Sequence, residues 1–216
     1  NPVPTIVYGT QEWTVENACH TIYRDGTYIP QVSQLNPNLR TGAWCYYDND
    51  PTKGILYNWY AVAGIYDEAS LNNASLRKEF APIGWHVPVQ DEWITLKNHL
   101  ISNGYNYDGT ITGNKIAKAM ASTSGWDSST DTGAIGNVQS LNNSSGFNAY
   151  PLGGSDYNGT FLSYGSATFF WSKNKANPQF GSDKAWKVLL SNYNADLLVD
   201  YPSDMVNGFS VRLVKD

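Results

Sequence analysis

The sequence predicts an α+β fold with mixed, mainly antiparallel strands, two principal helices and long C-terminal loops. Three observations carry that expectation. Near both chain ends apolar residues alternate with polar ones, the period of a half-buried strand. A central segment, 90–102, has its apolar residues at helical spacing. From Leu141 to Ser172 glycines interrupt a ring-rich stretch whose one charge is Asp156, which reads as loops and short strands. The chain shows no linker, charge block or fixed-period repeat, so residues 1–216 are read as one domain.

In chain order, Trp13 and Val15 alternate with polar neighbours as a strand. Thr21–Arg24 and Thr27–Ile29 flank Asp25-Gly26, a hairpin signal because both turn residues tolerate positive φ. Leu56–Ala63 has length and rings for either a strand or a short buried helix, and is assigned as helix. In 90–102, Trp93, Leu96 and Leu100 form the apolar stripe, widened by Ile94 and Ile101. Asp91 and Glu92 favour its first turn and Gly104 stops it. A second helix is expected over Asn114–Ala121. Gly208–Val214 alternates Phe209, Val211 and Leu213 inward with Ser210 and Arg212 outward.

Composition narrows the function. With 8 Trp, 15 Tyr and 7 Phe, rings must fill much of the interior, Phe161, Phe170, Trp171 and Trp186 among them. A net charge of −5 gives no footprint for phosphate backbones, so nucleic acid is not an expected partner. No apolar stretch reaches the roughly 20 residues that a membrane-spanning helix needs. Sparse charge with abundant Asn, Ser, Thr, Gly and Tyr suits an extracellular protein. The start at Asn1 reads as that of a trimmed mature chain or of a segment cut for expression, and the absence of a targeting signal decides nothing. Cys19 and Cys45 form either one disulfide or two unpaired thiols.

Chemistry-bearing patterns are few. The sequence has no Cys-x-x-Cys, His-Glu-x-x-His, Gly-x-Ser-x-Gly, Walker or dinucleotide motif. His20, His86 and His99 are scattered and are given structural roles, with His86 buried and hydrogen-bonded beside Trp85. Asp48, Asn49 and Asp50 are oxygen-rich enough to consider for Ca²⁺ but lack EF-hand spacing, and a solvated turn is preferred. No metal, cofactor or catalytic residue is assigned.

Several segments together carry a family resemblance: QEWTVENA at 11–18, DGTYIP at 25–30, GAWCYYDND at 42–50, LYNWYAV at 56–62, APIGWHVPVQDEW at 81–93, NSSGFNAYPLGG at 143–154, FWS at 170–172, AW at 185–186 and GFSVRLVKD at 208–216. In order and content they resemble the Fibrobacter succinogenes major paralogous domain, a family of secreted bacterial proteins. That family is in turn similar to the C-type lectin-like superfamily, including its formylglycine-generating branch. The resemblance implies a C-type lectin-like fold, paired N- and C-terminal strands and a loop-rich face. GWHVPVQDEW resembles the branch's Leu-Pro-Thr-x-x-Glu-Trp signature, but Val89 stands where the capping Thr is usual, which removes a cap worth about 1 kcal/mol. The branch's enzyme needs late cysteines, and none follows Cys45, so its activity is not carried over.

The C-terminal part also resembles the variable proteins of diversity-generating retroelements, which display changeable late loops on a constant scaffold. Those loops set tyrosines among Ser, Asn and Gly, a paratope-like mix. The expected ligand-binding residues are Asp156, Tyr157, Asn158, Ser163, Tyr164, Ser166, Thr168, Phe169, Lys173, Asn174, Ser191, Asn192, Tyr193, Asn194 and Tyr201. The expected function is a secreted or cell-surface binding protein, bacterial or phage-associated, for a protein or glycan ligand, in an oligomeric state left open. Two alternatives stand beside it. One is a surface enzyme using Asp156, Asp183 or Asp196, and the other a structural part of a surface fibre or envelope.

Overall fold

The structure is a computed structural model that describes residues 3–216. Its elements run β1 (Thr5–Tyr8), β2 (Gln11–Thr14), β3 (Trp44–Tyr46), β4 (Ile55–Tyr57), α1 (Trp59–Val62), α2 (Glu68–Asn72), β5 (Trp85–His86), α3 (Gln90–Ser102) and α4 (Ala117–Met120). Then follow β6 (Gly154–Ser155), β7 (Phe161–Leu162), β8 (Ala167–Lys175), β9 (Lys184–Ser191), β10 (Leu198–Asp204) and β11 (Val214–Lys215). One sheet has the order β1-β2-β11-β5, so strands from the two ends of the chain are neighbours. A second has the order β10-β9-β8, and β3-β4 and β6-β7 are two-stranded. Pairing within these sheets is antiparallel throughout, and the fold is α+β.

The core is built from rings, as the composition implies. It divides into two large clusters, and β8 serves both. Phe169 and Trp171 point into a cluster with Tyr57, Trp59, Phe80 and Phe209. Phe170, between them in sequence, points the other way, to Trp13, Trp93 and Phe147. Strand alternation thus lets one strand feed two cores. α3 packs Trp93, Leu96 and Leu100 into the second cluster, as its periodicity predicts.

α3 also repairs its weak cap. Val89 cannot accept a hydrogen bond, but its backbone N–H donates to Glu92 Oε2 at 2.8 Å, half of a capping box. The other end of the repair comes from β8: Gln90 N donates to Asn174 Oδ1 at 2.8 Å. A long-range side chain replaces the missing local one.

Five sequence expectations need correction. Leu56–Ala63 is not one helix; β4 ends at Tyr57 and α1 begins at Trp59, because Asn58 caps it by accepting from Ala61 N. The Asn114–Ala121 helix shrinks to α4, since Asn114 is held by Leu197 through both its amide groups. The Asp25-Gly26 turn forms, with Tyr23 N donating to Thr27 O, but its arms make a lone bridge rather than strands. Trp186 is half-buried rather than core, packing on Phe180, and Phe161 is likewise part-buried at the edge of a small third cluster.

The fifth correction matters most. Ser210 and Arg212 do not face solvent; both are buried, as are Phe209, Val211 and Leu213. The alternation rule assumes water on one side, whereas this segment runs between the two cores and has protein on both faces. Cys19 and Cys45 are both free: Cys45 is packed with Leu35 and Leu56, and Cys19 is exposed.

Candidate functional site

An open cleft of about 380 Å³ is framed by three stretches that lie far apart in the chain. One wall is Val15–Cys19, just after β2, and another is Thr52–Ile55, leading into β4. Tyr150, Leu152 and Tyr164 complete the rim, while Asn148 and Arg212 line the interior. Its size lies in the ordinary range for small-ligand sites.

Local backbone explains why Tyr164 faces outward. Ser163 and Gly165 both take positive φ, 64° and 80°, turning the chain sharply on either side of it. Gly165 N donates to Pro151 O, and Asp127 N donates to Gly165 O. A Cβ on Gly165 would lie 2.9 Å from Asp127 Oδ1, so only glycine fits this turn. Tyr150 has its own glycine: a Cβ on Gly125 would meet the Tyr150 ring at 2.5 Å.

The two tyrosines work as a pair. Their ring centroids are 6.3 Å apart at 68°, and their hydroxyls meet at 3.3 Å. They are 40% and 41% exposed, so each offers a free face. Tyr164 also stacks on the buried Tyr47 at 5.3 Å. Lys53 Nζ lies 5.3 Å from the Tyr164 ring and pairs with Asp48 at 3.2 Å. The Tyr150 phenol is raised above its ordinary pKa by its hydrogen bond to Tyr164 first and by burial second, so it stays a donor at neutral pH.

Beneath the rim lies Arg212, 1% exposed. Its Nε donates to Asn17 Oδ1 at 2.7 Å. Nη1 donates to Thr14 O at 2.9 Å and Phe147 O at 3.0 Å, and Nη2 to Asn148 O at 3.2 Å. The guanidinium also lies over Phe147 at 4.5 Å. Burial lowers its pKa to about 9, opposed by Tyr8 and Glu16. Arg212 therefore ties together Thr14, Asn17 and Phe147–Asn148, two sides of the cleft.

The profile of the Fibrobacter succinogenes major domain family matches residues 6–215. The chain belongs to that family. No curated protein and no solved structure matches it. In this Fibrobacter succinogenes major domain, the segments that carried the resemblance supply much of the cleft: Val15–Ala18 from QEWTVENA, Asn148–Leu152 from NSSGFNAYPLGG and Arg212 from GFSVRLVKD.

The residues expected from sequence do not form one site in this domain. Tyr164 is at the cleft, and Ser163 makes its turn. Thr168, Phe169 and Ser191 are buried and are corrected to core positions, because they sit on strands covered on both faces. Asp156 closes the β6–β7 hairpin by accepting from Asn158 N and Thr160 N, and Asn158 O accepts from Gln34. Tyr157 lines a separate hollow with Arg40, Tyr60 and Asp183. Lys173 pairs with Glu79, and Asn174 is occupied by α3. Ser166 O accepts from Asn192 N, and Asn192 Nδ2 also reaches Asp127 O. Tyr193 and Asn194 occupy the β9–β10 turn, where Asn194 O accepts from Ile135 N. Tyr201 stands on β10 beside Lys187.

Other candidates also resolve into structural roles. Asp50 Oδ1 accepts from Thr52 N and Oγ1, and Asp48 pairs with Lys53, so the acidic run serves its own turn. Asp156, Asp183 and Asp196 sit in three different connections and do not form a carboxylate pair. His86 is part-buried, bridging Glu92 at 2.7 Å and Asp216 at 2.9 Å. Sequence reasoning missed Glu16, Asn17, Lys53, Tyr150 and Arg212. All of these but Lys53 had a signal, since they stand in the segments that carry the family resemblance.

Proposed function

We propose that the chain is a ligand-binding module of the bacterial cell surface or secretome, and that the Tyr150–Tyr164 cleft holds a glycan. One observation carries this reading: two tyrosines with free faces stand at the mouth of a cleft whose lining mixes apolar side chains with Glu16, Asn17, Lys53 and Asn148. Sugars present apolar faces that stack on such rings and hydroxyls that pair with amides and charges. Asn17, Asn148, Lys53 and Glu16 supply those groups. A C-type lectin-like fold is part of the proposal, supported by the β2–β11 pairing of the chain ends and the long loops between them. The sparse charge of the sequence supports an extracellular location.

A binding role is favoured over catalysis because no two candidate carboxylates share the cleft. A diversified-loop version of the function requires Tyr157, Tyr193 and Tyr201 to act together. Their separate surroundings favour the cleft instead. A glycan array with the purified domain identifies the ligand. The Tyr150→Ala/Tyr164→Ala variant is then expected to lose at least tenfold in affinity while still unfolding cooperatively, at a temperature lowered by the lost packing of Tyr164 on Tyr47. Full binding by the folded variant places the site elsewhere.

A further inference from the structure

Lys187 lies at the middle of β9, away from the cleft, paired in register with Trp171 of β8 and Tyr201 of β10. Its Nζ lies among three rings: 4.6 Å from the Phe169 centroid, 4.9 Å from Phe209 and 5.3 Å from Tyr201. Phe169 and Phe209 are buried, whereas Tyr201 is 51% exposed and Lys187 itself is part-exposed, so the solvent-facing side of this ring cage is the Tyr201 side. Neither a hydrogen bond nor an ion pair to Nζ is found among the described residues; the one charge that acts on it is Asp204, which is itself paired with Lys184 at 2.5 Å. Cation–π attraction is thus the main compensation for the lost hydration of the ammonium.

The three rings return only part of the hydration that burial removes, so this ammonium gives up its proton more readily than an exposed one. Burial lowers the Lys187 pKa to about 8, with Asp204 opposing. A lysine at its ordinary pKa near 10.4 is about 0.1% neutral at pH 7.5, whereas one at about 8 is about a quarter neutral. Desolvation in an apolar pocket is a recognised way to make a lysine nucleophilic.

We propose that Lys187 is a reactive amine that captures aldehydes, including the open-chain form of a reducing sugar, as imines. The neutral Nζ adds its lone pair to the carbonyl carbon, and the carbonyl π pair moves to oxygen, which takes up a proton. Nitrogen loses its protons as water departs, and a C=N bond remains. No oxidant or reductant is consumed, and added water reverses the step. The apolar walls favour the uncharged imine, and the exposed Tyr201 side is where an aldehyde would approach.

The test uses the intact chain with glyceraldehyde and cyanoborohydride, which traps imines as stable secondary amines, followed by peptide mass spectrometry. At pH 7.5 Lys187 is expected to be modified at least about tenfold faster than the exposed Lys175, with a pH–rate midpoint near 8. The advantage is expected to vanish in urea, because it depends on the folded cage. In Tyr201→Ser, which admits water beside Nζ, the midpoint is expected to move up by about one unit. The proposal is overturned if Lys187 reacts no faster than Lys175 in the folded chain. It is also overturned if its advantage persists in urea, or if the midpoint lies near 10 in the unaltered protein.

Discussion

Arg212 and Lys187 are both cations packed on aromatic rings, one beneath the cleft and the other on the three-stranded sheet. Arg212 directs four hydrogen bonds to Asn17, Thr14, Phe147 and Asn148. Lys187 has three rings and, among the described residues, no oxygen partner. Lys118 resembles Arg212 in this respect, its buried ammonium ringed by Asn142 Oδ1 and the carbonyls of Ala134, Asn137 and Val138. Rings alone accommodate a charge; oxygens make it structural. A buried cation with its donors satisfied is a strut, and one without them is free for other chemistry.

The largest effect that sharpens this contrast is expected at Arg212. Replacing it with Met strands four oxygen acceptors, three of them backbone carbonyls, and is expected to cost about 3–5 kcal/mol in urea unfolding. Lys187→Met removes an ammonium without such partners and is expected to change stability by less than about 1 kcal/mol. Equal losses from the two variants would break the comparison.

Next in size is Asn174. Its side chain accepts from the first N–H of α3, so Asn174→Ala is expected to cost about 1 kcal/mol by the same measurement. Val89→Thr in that background is expected to recover part of the loss by restoring a local cap. Failure to recover would mean that Asn174 acts through β8 rather than through the helix.

The smallest effect is a pH dependence at His86. Burial opposes its charge, but the hydrogen bonds that the ring donates to Glu92 and Asp216 outweigh burial and raise its pKa. A raised folded-state pKa contributes stability that is complete below the unfolded value near 6.5 and is lost as pH rises through the folded value. Melting temperature in the unaltered chain is therefore expected to fall over that window more than in His86→Gln. Because the group is part-exposed, solvent screens the pair and the difference is expected to be small.

What the sequence makes legible follows from how local each signal is. α3 is read almost to the residue because Trp93, Leu96 and Leu100 repeat within one segment. Tyr164 is found because a ring set among Ser and Gly in a turn-rich stretch has little room to hide. Asn58 was a readable cap, and it divides a run whose apolar content looked continuous. Arg212 is missed because alternation cannot reveal that both faces of a strand are covered. Thr168, Phe169 and Ser191 fail for the same reason. The cleft itself is invisible to local reading, since residues 15–19, 52–55 and 148–164 meet only after the chain ends pair. Asn174 shows the converse, a paratope-like residue whose side chain is already engaged by a distant helix.

Cys19 offers the most direct test of the cleft. It lines the rim as an exposed free thiol, whereas Cys45 is buried and its thiol is pushed up to about 12 by burial, so a maleimide is expected to label Cys19 selectively. The rate of that labelling, measured with and without a glycan that binds the domain, reports whether the cleft is occupied. Protection of Cys19 by several-fold at saturating glycan is the predicted result. Binding at full affinity with an unchanged labelling rate would contradict the assignment of the cleft as the ligand site.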